Sequence, residues 1–383
     1  MLDFGIPARR LFRLEPGAAF LNHGSFGAVP RPVLEAADEW RRRMEANPDR
    51  FIREVLPGEL RRAATQLAGH FHARGEDLVF VENATAGIDA VLGSLELEPG
   101  DEILASSHCY GAVRQAIRHT CRRTGCRAVE VDLRLPLSSE SDLFAPLAEA
   151  LGERTKLLVI DHIASPTGLV FPVARLASLA RSRGVRVLVD GAHAPGQLEL
   201  DIPALGADWY VGNCHKWLFA ARGCGFLWAR SDAQVGLHPV AVSHAYGQSF
   251  TAEFDWTGTR DFSAWLAVGA ALDLIAEIGA TRMREHNHRL AVEIGQRLAR
   301  AWRTELDGPA PLHASMIGVR LPPRLQALGP ADADTARRLM TQLLAEHATV
   351  VAINPMSGAL WARVSAQIYN VAEDCERLAR LGA

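Results

Sequence analysis

Two segments hold the residues best suited to chemistry: the apolar run Val185-Arg186-Val187-Leu188-Val189, which ends in Asp190, and Gly212-Asn213-Cys214-His215-Lys216-Trp217. Lys216 is followed by Trp217, Leu218 and Phe219, so its amine is expected in poorly hydrated surroundings that favour the neutral, reactive form. Asp190 leads into Gly191-Ala192-His193. Other apolar runs end in polar clusters of their own: Asn83-Ala84-Thr85, His108 with Tyr110, and Asp161-His162 through Ser165 and Thr167.

What must position these clusters is legible in the period of the chain. Short apolar runs at Leu78 to Val81, Glu102 to Ala105, Ala128 to Val131, Lys156 to Ile160, Val185 to Val189, Trp209 to Val211 and Gly225 to Trp228 predict strands. Between them, Gly87 to Leu97, Ala112 to Arg123, Asp142 to Leu151 and Val173 to Arg183 carry apolar residues at helical spacing. The alternation predicts an α/β fold with a doubly wound, mostly parallel seven-stranded sheet. Helices are expected within 31 to 72 and over Phe262 to Glu277 and Met283 to Arg303. A smaller α+β C-terminal domain follows, with strands Ile317 to Leu321, Val350 to Ile353 and Leu360 to Val364 and helices Asp334 to Glu346 and Val371 to Leu381. The expected division is 20–275 for the large domain, with 1–19 and 276–383 forming the small one.

Ligands of open α/β sheets bind beyond the carboxyl ends of the strands. One crevice is therefore expected to gather a helix amino terminus, a carboxylate, imidazoles, hydroxyls and a lysine. That set suits pyridoxal phosphate, which needs a lysine for its Schiff base, a carboxylate to keep its ring nitrogen protonated, and donors for its phosphate. The amides of Ala84, Thr85 and Ala86 with the Thr85 hydroxyl form a phosphate cup at a positive helix end. Singly, each residue has a plainer use: Lys216 on a solvated surface, Thr85 as a helix cap, Asp190 in a turn, His193 or His215 in a structural hydrogen bond. The joint pattern is what points to a cofactor.

Competing sites lack their signatures. There is no G-x-x-x-x-G-K-[ST] loop, no G-x-G-x-x-G after the first strand and no G-x-S-x-G elbow, which His23-Gly24-Ser25-Phe26-Gly27 resembles only superficially. His70-Phe71-His72 and His286-Asn287-His288 have no matching acidic partner, so no metal is expected. The 41 Lys plus Arg against 44 Asp plus Glu make no basic field for nucleic acid or an anionic membrane, leaving small molecules or copies of the chain as partners. Six cysteines without C-x-x-C spacing read as reduced thiols. Met1 to Arg13 lacks the apolar core of a signal peptide, and no run approaches the ~18 apolar residues of a membrane span, so a cytoplasmic protein is expected.

Longer motifs sharpen the reading. Leu21-Asn22-His23-Gly24-Ser25-Phe26-Gly27-Ala28-Val29-Pro30, Glu82-Asn83-Ala84-Thr85, His162-Ile163-Ala164-Ser165-Pro166-Thr167-Gly168, Asp190-Gly191-Ala192-His193, Gly212 to Trp217 and Arg363-Val364-Ser365-Ala366-Gln367-Ile368-Tyr369-Asn370 resemble the class V aminotransferase group of fold-type I pyridoxal phosphate enzymes. The isopenicillin N epimerase branch is the nearest in pattern, over almost the whole chain. The resemblance implies that Lys216 is the Schiff-base lysine, Asp190 pairs with the ring nitrogen, His108 stacks on the ring, and Thr85 and His215 hold the phosphate. His193 then approaches the ring hydroxyl, where the cysteine desulfurase branch often has Gln, and Ser165 stands where that branch often has Asn. Gly258 and Thr259, within Trp256 to Asp261, match a segment that completes the phosphate site of a neighbouring subunit, which implies a homodimer. Arg363 matches the arginine that grips the substrate α-carboxylate in a bidentate pair. Asn22 and His23 resemble a loop folding toward the substrate.

The cofactor leaves the reaction open, because the protein decides which bond at the α-carbon breaks. Desulfurases of this group place a nucleophilic cysteine shortly before the carboxylate-binding arginine, and Glu346 to Trp361 contains none, although Cys214 and Cys109 fall near the crevice. The favoured reading is C–S β-elimination from a cysteine-derived substrate, which needs Lys216 alone as base. Epimerisation is the alternative and needs a second acid, for which Tyr110, His108 or Cys109 are candidates. Decarboxylating or aminotransferase chemistry ranks behind these, and desulfuration behind that. A regulatory module built on the same fold is expected to lack the lysine or to carry a DNA-binding extension, and this chain shows neither.

Overall fold

The computed structural model describes residues 2–381. Its strands are β1 (Ala19–Phe20), β2 (Leu78–Val81), β3 (Glu102–Ser106), β4 (Arg127–Val131), β5 (Thr155–Asp161), β6 (Arg186–Gly191), β7 (Trp209–Asn213), β8 (Gly225–Ala229), β9 (Met316–Arg320), β10 (Thr349–Val350), β11 (Ala352–Met356) and β12 (Ala359–Ser365). A seven-stranded sheet runs in the order β2-β8-β7-β6-β5-β3-β4, and only β8 is antiparallel to its neighbours. This is the doubly wound, mostly parallel sheet expected. Successive residues of a strand feed opposite cores: Leu158, Val187 and Val189 pack with Leu67, Leu176 and Phe226, whereas Leu157, Val159 and Leu188 pack with Ile88, Val91 and Val113. Burial on both faces explains why these strands read as unbroken apolar runs. The edge strand β4 alone is mostly exposed.

The C-terminal part forms a three-stranded antiparallel sheet, β11-β12-β9, packed against the helices Ala280–Trp302 and Ala333–His347. Here the expected strand Val350 to Ile353 divides. Thr349 and Val350 pair in parallel with β1, while Ala352 to Met356 turn to β12, so two different partners break one apolar run. The helix expected over Phe262 to Glu277 is likewise two pieces, Ser263–Leu266 and Val268–Ile278, and the closing one shortens to Glu376–Arg380 behind a 3-10 turn. In the early helical region Arg31–Ala46 stops before Asn47-Pro48, because proline disfavours helical geometry in the residue before it; Asn47 has φ −161.

The two sheets meet through a few polar stitches. Leu135 N–H donates to Ser357 Oγ at 2.9 Å, Leu137 N–H to the Asp307 carbonyl at 2.9 Å, and Asn354 Nδ2 to the Pro166 carbonyl at 2.9 Å. Ser357 and Gly358 form the tip of the β11–β12 hairpin with φ of 50 and 74, the doubly positive pattern of a tight two-residue turn. No single helix among the described residues is long and apolar enough to cross a membrane.

Candidate active site

Parallel strands in register put Asp161 at the end of β5 beside Asp190 at the end of β6. Both are buried, and burial pushes both carboxyls above their usual range; at Asp161 the neighbouring Asp190 adds to the rise. Nearby Lys216 favours the ionised form of Asp190, so Asp161 keeps the proton of the pair. Asp190 Oδ1 accepts from the Ala192 N–H at 2.9 Å, and no described group donates to Oδ2.

The turn after β7 carries His215, Lys216 and Trp217. Lys216 Nζ lies 3.0 Å from His193 Nε2, and the Trp217 indole donates to His193 Nδ1 at 3.4 Å. With Nδ1 accepting, His193 carries its proton on Nε2 and offers it to an uncharged amine. Burial, then Arg363, lower the Lys216 amine to about 7, and burial with the Lys216 charge holds His193 well below its ordinary value. Expected beside the ring hydroxyl, His193 is hydrogen-bonded to the lysine.

His108 is fully buried, with Nε2 on the Leu133 carbonyl at 2.9 Å and Nδ1 3.4 Å from Thr167 Oγ1. Burial lowers its pKa, so it is a neutral, fixed ring. Next to it, Cys109 is buried and its thiol is pushed well above its usual value; Cys214, buried against Cys224, is pushed the same way. Neither is a ready nucleophile. Tyr110, in contrast, is 46% exposed at the head of the helix Gly111–Thr124, close enough to Arg363 to raise that residue's pKa.

At the amino end of the helix Ala84–Ser94 the expected cup is narrower than its sequence suggested. The Ala84 N–H is taken by Asn213 Oδ1 at 2.9 Å and the Ala86 N–H by Asn83 Oδ1 at 3.0 Å. Ala84 is therefore corrected from an anion donor to a structural amide. Thr85 keeps its N–H and hydroxyl unpaired among the described residues, facing a cavity of 380 Å³ that Thr257 and Arg260 also line. His215 donates through Nδ1 to the Cys224 carbonyl at 3.0 Å, which leaves Nε2 unprotonated unless the ring is charged; burial lowers its pKa to about 4. Gly258 and Thr259 lie outside this cup, and Thr259 is exposed on another cavity, beside Pro48, Ile52 and His244.

Arg363, in β12, is 3% exposed, and burial lowers its pKa to about 10. Its Nη2 donates to Asn22 Oδ1 at 3.0 Å and Ser25 Oγ at 3.2 Å, and its Nη1 to the Ser165 carbonyl. Its Nε has no partner among the described residues. A buried guanidinium with two unmet donors, Nε–H and the second Nη1–H, fits an incoming carboxylate. Ser165 thus touches Arg363 through its main chain. His23 is placed differently from the expectation: completely buried behind the lysine turn, it has both ring nitrogens bonded within the protein and does not face the substrate space.

The sequence reading quoted Ser25, Asp161 and Asn213 within its motifs but gave them no role. Asp161 had a signal, since Leu157 to Asp161 repeats the pattern of Val187 to Asp190, an apolar strand ending in an acid. Ser25 and Asn213 had none, because their partners Arg363 and Ala84 are remote in the chain.

Known proteins bear on this arrangement. The family model described as Aminotransferase class-V matches residues 20–378. A putative L-cysteine desulfhydrase 1 of Oryza sativa subsp. japonica is 35% identical over 95% of this chain and 82% of its own length. An isopenicillin N epimerase of Amycolatopsis lactamdurans is 37% identical over 97% of this chain and 96% of its own. The fold matches the apo structure of a cysteine desulfurase from Thermococcus onnurineus NA1 with a TM-score of 0.82, at 19% identity, over 100% of this chain and 98% of that one.

Proposed function

The chain belongs to the class V aminotransferase family and is a pyridoxal 5'-phosphate enzyme, and on that premise we propose that it releases a thiol from Cβ of a cysteine-derived amino acid. One observation carries the reading: Lys216 offers an amine lowered to about 7, 3.0 Å from His193, while the hairpin tip before Arg363 is a two-residue turn of Ser357 and Gly358 with no thiol. The desulfhydrase relative supports it.

When bound, the cofactor supplies an electron sink for the charge left by the departing α-proton. Lys216 Nζ takes that proton with the lone pair that His193 Nε2–H occupies at rest, so the amine turns from the imidazole toward the α-carbon as it acts. Asp190 would keep a proton on the ring nitrogen through its free Oδ2, with Asp161 neutral alongside. Thr85 and His215 would hold the phosphate, His215 only as a doubly protonated ring because its Nδ1–H is committed to the Cys224 carbonyl, and His108 would pack on the ring. Arg363 grips the substrate carboxylate through its unmet Nε–H and second Nη1–H, and Asn22, Ser25 and the Ser165 carbonyl hold its other three donors. Substrate R–S–CH2–CH(NH3+)–COO− and water thereby give RSH, pyruvate and ammonium.

Epimerisation is a second reading, favoured by the exposed Tyr110 near Arg363 and by the epimerase relative. The two separate cleanly. A cysteine conjugate is expected to yield pyruvate, ammonia and thiol in equal amounts with no reductant or sulfur acceptor, and Cys214→Ser to remain active. In deuterated water an epimerase instead returns intact amino acid, inverted and deuterated at Cα. Alanine as product would overturn both readings in favour of persulfide chemistry.

We further place the enzyme in the cytoplasm as a homodimer in which Gly258 and Thr259 complete the partner's phosphate site. The accessible surface, 16350 Å², exceeds the roughly 15,000 Å² of a compact monomer of this mass, and Val235, Val240, Val242 and Tyr246 are exposed. The division into 20–275 and 1–19 with 276–383 belongs to the same proposal; positions 1, 382 and 383 lie outside the described residues.

A further inference from the structure

The short turn after β1 touches both chemical ends of the crevice. Asn22 and Ser25 hold the Arg363 guanidinium, and Gly24 passes so close beneath it that a Cβ there would meet Met316 Sδ at 2.7 Å and Arg363 Nη2 at 3.2 Å. On the other side His23 Nε2 lies 3.0 Å from the Lys216 carbonyl and Nδ1 lies 2.9 Å from the Tyr369 hydroxyl. A carbonyl only accepts, so Nε2 carries the proton, and Nδ1 accepts from Tyr369 and, at 3.3 Å, from the Ala28 N–H. Gly27, at φ +68, crosses the lysine turn where a Cβ would lie 2.2 Å from the His215 carbonyl. That turn itself includes Phe219 at φ 62, a conformation a bulky residue keeps only when its surroundings enforce it.

We propose that the turn Asn22 to Gly27 is the positioning element of this active site and that His23, braced by Tyr369, fixes the main chain of Lys216 from behind. This rests on the reading of Lys216 as the base and Arg363 as the carboxylate grip. His23 touches no reacting atom. It ties the lysine turn to Tyr369, which follows β12, while its neighbours Asn22 and Ser25 hold Arg363 within β12. The distance between base and carboxylate grip is thereby set by one turn rather than by the two sheets independently. Burial lowers the His23 pKa to about 4, so the brace stays in one protonation state at neutral pH.

The test compares His23→Leu, His23→Gln and Tyr369→Phe with the parent holoenzyme. Reading kcat, KM and the pH midpoint of the cofactor's visible absorption, His23→Leu is expected to lose about tenfold to a hundredfold in kcat, with KM within about twofold, and to shift the midpoint. Because a glutamine N–H can still donate to the Lys216 carbonyl, His23→Gln is expected to recover to within about threefold of parent. Tyr369→Phe keeps the ring, decides the matter if His23→Leu fails to fold, and is expected to show the same pattern at smaller size. Parent-like kcat and midpoint in these variants would overturn the inference. So would a rise in KM alone, which returns His23 to substrate contact, or a glutamine variant no better than leucine. Borohydride-fixed cofactor located by mass spectrometry separates the two levels. Cofactor on a lysine other than Lys216 overturns the reading beneath, whereas cofactor on Lys216 with indifferent His23 variants overturns this inference alone.

Discussion

The crevice has a closed end and an open end. Around Lys216 the packing is tight: Trp217, Leu218 and Phe219 are 0 to 1% exposed, His193 and His23 are neutral with fixed tautomers, and Asp161 and Asp190 share a strand-end register. Around Thr85 the helix end faces a cavity bounded by Thr257 and Arg260, while Thr259 lines a different one. The contrast is between chemistry that needs low dielectric and fixed geometry, which one chain can enclose, and phosphate binding, which tolerates an edge completed by another copy. A desolvated amine and carboxylate gain most from enclosure. A phosphate held by a helix end and hydroxyls gains from each added donor in turn.

The largest effect is expected at the closed end. Lys216→Ala should reduce turnover by about 10²- to 10⁴-fold, because no other described amine stands in the crevice to take the α-proton. In the cofactor-free chain, an amine-specific reagent should label Lys216 with a midpoint near pH 7: the neutral, reactive form builds up as pH rises through 7 and is lost below it. A midpoint near that of an ordinary lysine would mean that the amine is hydrated and that this end is not closed.

Asp190→Asn should come next, at about a hundredfold in turnover with cofactor retained. An amide cannot hold a proton on the ring nitrogen as a carboxylate does, and Asp161, already protonated, cannot replace it. Near-parent turnover would show that the in-register pair works as one unit and that either acid suffices.

These two ends were not equally legible in the sequence. The strands and the gathering of Asp190, Lys216, His108 and Thr85 at one sheet edge followed from apolar runs ending in polar residues, a pattern created by burial on both faces. Directions were not legible. That His23 faces backward to the Lys216 carbonyl while its neighbours face Arg363 depends on a turn whose partners come from after β7 and within β12. Nor could the loss of the Ala84 amide to Asn213 be read, since it requires knowing that β7 ends beside the helix start. Hydrophobic period fixes which face is buried, but hydrogen bonds between remote segments decide what each polar atom does.

The smallest expected effect is the one that tests the open end. Thr259 lies on the surface of its own chain, away from Thr85, so in a single chain its removal should change nothing at the cup. If it reaches the phosphate of a partner, Thr259→Ala removes one hydroxyl from a charged ligand and should weaken cofactor binding about tenfold, the low end for a hydrogen bond to a charged group. The parent should show the same loss when diluted below the concentration at which it dimerises, and the variant should lose less on dilution because that contact is already gone. Sedimentation alongside cofactor titration measures both. Concentration-independent affinity, equal in parent and variant, would show that Thr85, His215 and their own chain suffice, and that the cup is open to solvent rather than to a second copy.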